Sequence, residues 1–548
     1  MRFTLATKKP MRTMRTALLA GVLTLTASCQ DFLDVNNNPN GPEVVTANLY
    51  LPAMLHWMVT DQPFDGRFIG QYVQNWYQPG TSFNVWDQHG YQRSSDNSAQ
   101  TWRDVYWSFG QNLVDMTQKA EAEQRWDLLG VGMMLKGWGW MTLASLHGDI
   151  IVKQAIDQTR FIFDYDSEQY ALQEAKKLLD SAIVLLNRTD GAVDATYLAR
   201  GDKIYNGNRI KWLQYTYGLR ALLQNRYSNK STYNPAAVIA DVDLSFTGNI
   251  DDALMPYPAT QPSDDRNFWG PGRGNLTNFR QTRFIVELMN GTQFGGAVDP
   301  RITRMLAASP DTATNAACPA ANRIPCYRGL DVNTLNYGAL TTAQRPNNLW
   351  GATGTLPANS PTRYLYSDKT KFPAMTYSQL QFVKAEAAFR MGNRALALTA
   401  YTNGISTHID FVNARNLDDG QQATQITAAE KAAYLANVNI VPTAANLRMT
   451  HIMSQKYIAQ YAWGFFEQWM DMRRFHYTDT YTGETRQVFP GFAPPTVKDA
   501  DNVGKVAYRL RPRFNSEYVW NRAALSKLLP INGLAIDYQT SELWITQP

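Results

Sequence analysis

Apolar residues recur along this chain at intervals of three and four. In residues 167–187, Leu172, Ala175, Leu179, Ile183 and Leu186 fall on one face of a 3.6-residue period. Asp166 precedes that run as a candidate N-cap, with Gln169 three positions later. Residues 209–228 repeat the pattern through Ile210, Leu213, Tyr217 and Ala221. Similar stripes predict helices over 44–60, 99–123, 127–146, 280–290, 376–391, 394–413 and 446–474. Alternation with period two is scarce, so strands should be short and few. The expected fold class is mainly α.

The clearest helix pair is 376–391 with 394–413, joined at Gly392-Asn393. Leu380, Val383, Ala387 and Met391 line the first helix. Ala385, Ala397, Tyr401 and Gly404 have the spacing of a tetratricopeptide-like unit, in which small residues let antiparallel helices approach and an aromatic fills the groove. One such hairpin cannot bury its own face, so other pairs should stack beside it in a helical-hairpin scaffold. Residues 62–97 and 229–375 break the pattern, the second rich in Gly, Pro, Asn and Thr and the first similar in character. Irregular stretches this long are uncommon unless they carry function, and binding residues concentrate on loops held by a rigid frame. A helical scaffold presenting a loop-rich face is therefore expected. Residues 128–146 are apolar, but Lys136 at their centre would cost about 2.5–3.5 kcal/mol in a bilayer. They read as a buried helix.

The N-terminus changes the meaning of the charge. Arg2, Lys8, Lys9, Arg12 and Arg15 precede an apolar run ending in Ala27-Ser28-Cys29. A basic stretch, an apolar core and small residues before a cysteine read as a lipoprotein signal peptide over 1–28, with cleavage before Cys29 and lipid on its sulfur. An ordinary secretory signal with a chance cysteine is the alternative, and Met11 or Met14 would also serve as a start. Residues 1–28 hold five basic and no acidic side chains, so 47 of the 52 basic residues lie beyond them, against 47 acidic ones. The remainder is neutral, with no general pull toward nucleic acid or anionic lipid. Residues 29–548 contain no linker that would divide them and read as a single domain. Cys318 and Cys326 could form a local disulfide in an oxidising compartment or remain as two thiols. Their spacing does not suit a zinc knuckle.

Several motifs, in order, resemble those of one known family. Cys29-Gln30-Asp31-Phe32-Leu33-Asp34-Val35-Asn36 and Asn38-Pro39-Asn40 resemble the family's mature start. His147-Gly148-Asp149-Ile150 resembles its Tyr-Gly-Asp-Ile turn, with His replacing Tyr. Residues 202–212, Ala385-Glu386-Ala387, Gln455-Lys456-Tyr457-Ile458 and the run 467–474 resemble its scaffold helices. Residues 513–517 with Asn521 resemble its C-terminal motif, although Phe514-Asn515 stands where Tyr-Pro is usual. Together these motifs resemble the SusD/RagB-type outer-membrane lipoproteins of Bacteroidetes, and the resemblance implies a SusD-like fold and a non-enzymatic protein held at the outer face of the outer membrane through Cys29. It implies a lid on a SusC-like TonB-dependent transporter that captures nutrient, an oligosaccharide or in some branches a peptide, without a cofactor.

Sugar rings pack on aromatic faces while their hydroxyls meet polar neighbours. The candidates are Trp76, Tyr77, Trp86 and Tyr91 in the first irregular stretch and Trp269, Tyr337 and Trp350 in the second. Gln74, Asn75, Gln78, Asn84, Asp87 and Gln88 stand beside the first group. These rings either line a ligand face or fill cores beneath the long loops. Trp102, Trp107, Trp138, Trp140, Trp212, Trp463 and Trp469 lie on predicted helices and read as packing residues. Glu386, Glu467, Asp471, Arg473 and Arg474 read as ion pairs that fix the scaffold. No His-Glu-x-x-His, Gly-x-Ser-x-Gly or Walker-type loop occurs, and the histidines are dispersed. A secreted helical polysaccharide-degrading enzyme remains the competing class; it would need a carboxylate pair at working distance.

Overall fold

The computed structural model describes residues 45–79, 84–262, 264–334, 337–421 and 423–548. The signal-peptide reading, Cys29 and the opening motif lie outside them. Helices of seven residues or more are α1 (Leu51–Tyr72), α2 (Gly110–Ala122), α3 (Trp126–His147), α4 (Glu168–Asn187), α5 (Arg209–Arg226) and α6 (Pro235–Leu244). They continue as α7 (Arg283–Met289), α8 (Tyr377–Arg390), α9 (Arg394–Arg415), α10 (Ala428–Ala436), α11 (Met449–Ala459) and α12 (Phe465–Arg474). Two antiparallel two-stranded sheets are the only strand pairs among the described residues: β1 (Trp76–Tyr77) with β3 (Arg280–Gln281), and β2 (Ala253–Met255) with β4 (Phe372–Met375). The first pair ties the two irregular stretches to each other.

The helices stack in series. α3 packs on α4, α4 on α5, α5 on α6, α6 on α8, and α8 on both α9 and α11. Small residues set the spacing. A Cβ at Gly404 would stand 2.9 Å from the Phe382 ring, and one at Gly137 would stand 3.0 Å from Leu179. Ser378 Oγ donates to the Gly404 carbonyl across the α8–α9 seam at 3.0 Å. The helical-hairpin scaffold is thus built from close backbone contacts.

Five local expectations are corrected. α1 does not stop before residue 62 but runs through Pro63 to Tyr72. An internal proline loses one helical hydrogen bond and costs about 3 kcal/mol. Met58, Val59, Ile69 and Tyr72 are fully buried and outweigh that cost. The predicted helix 446–474 divides into α11 and α12 because Ala462 turns left-handed at φ 68° ahead of Gly464. The α4 cap is Ser167, whose Oγ accepts from the Tyr170 amide at 3.3 Å, whereas Asp166 accepts from the Val152 and Lys153 amides. α5 buries Trp212, Tyr215, Leu219 and Leu222, whereas of the expected stripe Ala221 is buried and Ile210 is half exposed. The Trp212 indole is drawn in by Asp202 Oδ2, which accepts from Nε1 at 2.8 Å. α6 was not expected in 229–375, although Asn234-Pro235 is a start signal: the Asn234 side chain accepts from the Ala237 amide.

Charges hold the stack in register. Glu386 on α8 is fully buried and accepts from Arg474 Nη1 at 2.7 Å, Arg390 Nε at 3.0 Å and Asn225 Nδ2 at 2.9 Å. Arg474 also donates to Asp471 at 2.6 Å, and Asp471 pairs with Lys456 at 2.8 Å. Arg226 bonds to Glu467. Burial alone would push the Glu386 carboxyl up, but Arg474 and Arg390 overcome it and hold the group far below its ordinary 4.5. The acid is therefore charged where its partners need it. His147, standing in the Gly-Asp-Ile turn, is fully buried, and that burial brings its imidazole down to about 3. It packs edge-on against Trp102 as a neutral ring.

Glu386→Gln should destabilise the fold by roughly 3 kcal/mol, because it leaves Arg474 and Lys456 under-compensated in the interior. A depressed carboxyl contributes stability that is present above its unfolded value near 4.5 and is lost as pH falls through the folded one. Urea unfolding from pH 7 to pH 3 should therefore show a shallower loss in the variant than in the wild type. Equal pH slopes would contradict the assignment.

Candidate ligand-binding site

The two irregular stretches meet in an open cleft of about 560 Å³. Its first wall comes from the end of α1, which presents Arg67, Phe68 and Gln71. The second comes from Gln78, Asn84, Trp86, Gln92 and Asn97. The third comes from the turn carrying Asn275, Asn278 and Phe279. The extension of α1 through Pro63 is what brings Arg67, Phe68 and Gln71 to this place.

The cleft is lined mainly by carboxamides over an aromatic floor. Phe68 lies 4.8 Å from Trp86 between ring centres, and Trp86 lies 4.8 Å from Tyr91. Asn84 Oδ1 accepts from the Trp86 and Asp87 amides at 2.9 and 3.0 Å, leaving its Nδ2 buried without a partner. Gln71 Nε2 donates to the Arg67 carbonyl at 2.7 Å, and its Oε1 is likewise without a partner. Asn97 Nδ2 donates to Gln92 Oε1. Arg67 sits 4.3 Å above the Phe64 ring and donates through Nε to the Phe64 carbonyl. Burial lowers the pKa of that guanidinium, Asp65 partly opposing the change. Arg67 is the sole charged side chain among the described lining residues. A carboxamide donates and accepts at once, which matches a hydroxyl that does the same.

The structure places the sequence candidates differently from a ligand face. Trp76 and Trp269 are fully buried, and Tyr77, Trp86, Tyr91 and Trp350 are nearly so. Trp76 packs edge-on against Trp269 at 5.1 Å. Trp269 Nε1 donates to the Ala462 carbonyl, and Trp350 Nε1 donates to the Trp269 carbonyl. Tyr77 packs with Leu330 and Val332, and half-buried Tyr337 leans on them beneath the Arg345 guanidinium. These rings serve as wedges under the loops, since a buried aromatic removes roughly 150–250 Å² from water. Trp86 alone among the seven lines the cleft. Of the polar candidates, Gln78 and Asn84 line it. Asn75 instead bonds to Tyr457 and Gln468, and Gln74 to the Ala493 carbonyl. Trp107, expected to pack, is 67% exposed. Arg67, Gln71, Gln92, Asn97, Asn275 and Asn278 were not anticipated. Their signal was the density of Asn and Gln near Gly274 and in 92–97, which ranks below Trp in any search for stacking platforms.

Cys318 and Cys326 are joined in a disulfide, with Cα atoms 5.9 Å apart. Among the described residues, no group of three His, Cys, Asp or Glu side chains could hold a metal ion. No described helix is long and apolar enough to cross a membrane.

Many solved proteins share this mostly helical fold. A SusD/RagB family protein from Bacteroides thetaiotaomicron is 19% identical, with a TM-score of 0.67, covering 92% of this chain and 99% of its own. A SusD homolog from Bacteroides fragilis is 17% identical, with a TM-score of 0.69, covering 92% and 100%. A chitin-binding protein is 20% identical, with a TM-score of 0.66 and the same coverage. No curated protein sequence matches the chain. The profile of the SusD-like family described as "starch-binding associating with outer membrane" matches residues 39–489. The chain belongs to that family.

Trp76→Ala should cost about 3–5 kcal/mol by leaving a cavity, whereas Gln92→Ala at the cleft rim should stay within about 0.5 kcal/mol of wild type. Thermal and urea unfolding of the two variants would check this. Near-neutral Trp76→Ala would return that ring to the ligand candidates.

Proposed function

We propose that this chain binds a neutral oligosaccharide in the carboxamide cleft and delivers it at the outer membrane. The single observation that carries this reading is the lining: several Asn and Gln side chains, ring edges and one cation, with no carboxylate among the described lining residues. Such a surface offers no counter-charge to an ammonium group and suits hydroxyls on a flat apolar ring. The family description names starch and one structural relative is named for chitin, both neutral glycans. Each contact adds on the order of 1 kcal/mol, so micromolar to millimolar affinity is expected.

Capture without turnover completes the reading. Lipid on Cys29 tethers the chain to the outer membrane, facing the exterior. There it closes as a lid over a SusC-like TonB-dependent transporter, and the stacked helices supply a rigid docking face. A peptide ligand is the alternative cargo for the same architecture.

Titration calorimetry with malto-oligosaccharides, chito-oligosaccharides and a peptide mixture tests the cargo. A glycan should bind, no shortened products should appear, and the pair Asn275→Ala with Asn278→Ala should weaken binding roughly tenfold, about 1.4 kcal/mol. Binding of peptide alone, or release of products, would overturn the proposal. Membrane fractionation of Cys29→Ala tests the anchor: the variant should appear in the soluble fraction.

A further inference from the structure

A second cleft, of about 480 Å³, shares no lining residue with the first and is lined in part by Trp102 and Arg103. Its volume falls within the range of about 300–1,000 Å³ that small-molecule sites occupy. One wall is the π-helical turn Asp104–Phe109, which carries Tyr106 and Trp107. The facing wall is a second π-helical turn, Phe514–Tyr518, which carries Ser516 and Glu517. Wide turns of this kind are rare and frequently mark functional sites. Trp102, Phe163 and Ile151 close the apolar end.

The polar groups at this cleft are left incomplete. Glu517 is only 5% exposed. Its Oε2 accepts from Tyr165 at 2.7 Å and from Asn521 at 2.8 Å, and no described residue bonds to its Oε1. Ser516 Oγ and Arg513 Nε are buried without partners, while the far end of Arg513 is held by Asp96 at 2.6 Å. Buried polar atoms are normally satisfied, so the two open ones at Ser516 and Arg513, beside the Glu517 carboxylate, point to a ligand that completes them. Beside them Trp107 presents its indole to solvent, with Arg103 packed 4.2 Å from the ring centre. An exposed tryptophan held in place at a cavity mouth is a ready platform for a flat apolar face.

We propose that this second cleft is a separate pyranose-binding site. The sugar packs on Trp107, donates a hydroxyl to Glu517 and accepts from Ser516 and Arg513. A carboxylate favours hydroxyls as donors, so the second cleft selects a different presentation of the ring from the carboxamide cleft. The inference rests on the glycan reading of function and adds a second point of attachment. A glycan chain or a surface displaying many ends would then be held at two places, raising the effective concentration at each.

The test uses the full soluble chain labelled with 5-fluorotryptophan and followed by fluorine NMR. The Trp107 resonance, assigned by its loss in Trp107→Phe, should shift and saturate on addition of maltohexaose or chitohexaose. It should still do so in Asn278→Ala, whose carboxamide cleft is impaired. Trp107→Ala should lose that binding phase at least tenfold in calorimetry while leaving the other phase and the melting temperature unchanged. Glycan binding with an unmoved Trp107 signal would overturn the second site and leave the first standing. A moving Trp107 signal with no effect of Asn278→Ala on any binding phase would support the second site and sink the first. No response to either glycan would remove both.

Discussion

A buried carboxylate governs this molecule. Glu386 lies on α8 at the centre of the stack, and its oxygens are shared among Arg474, Arg390 and Asn225, from α12, α8 and α5. Lys456 on α11 joins through Asp471. Apolar helix faces tolerate sliding, because one methyl group replaces another at little cost. An ionic cluster does not. A one-turn slip of any of these helices would strand a charge in the interior, at a cost of several kcal/mol. The cluster therefore converts a set of amphipathic helices into one arrangement.

A scaffold so constrained decides what its loops can do. The short β1–β3 pairing draws the two irregular stretches together at Trp76 and Gln281. Large rings fill the space this creates: Trp76, Trp269 and Phe465 pack against one another, and Trp350 hydrogen-bonds to the same cluster. Once the rings are consumed as wedges, the side chains left facing solvent are Asn and Gln. The chemistry of the cleft follows from that division between packing and exposure.

The segment 92–103 links both clefts. Asn97 lines the first, while Asp96 beside it grips Arg513 and accepts from Asn515 on the wall of the second. Asp65 on α1 steadies the same segment by accepting from the Gln100 and Thr101 amides. Burial raises that carboxyl to about 6, against the pull of the Thr101 and Gln100 hydrogen bonds.

Helical content, most helix boundaries and the α8–α9 hairpin were legible in the chain, because a 3.6-residue apolar period is a local property that burial then uses. The ion-pair role of Glu386, Asp471 and Arg474 was legible too, since charged residues inside apolar stripes need partners nearby. The passage of α1 through Pro63, the break at Ala462 and the buried face of α5 were not. Each turns on a contact between residues distant in sequence, where tertiary burial outweighs local preference. The same holds for the rings. Composition announced an excess of aromatics on irregular stretches, but which face of an indole meets protein and which meets water is decided only when the loops close. Sequence alone determined that a helical scaffold would carry a loop-built face. Tertiary structure decided that carboxamides at the first cleft, and Trp107 at the second, would be the groups that face outward, because a large ring gains more from burial than an amide does.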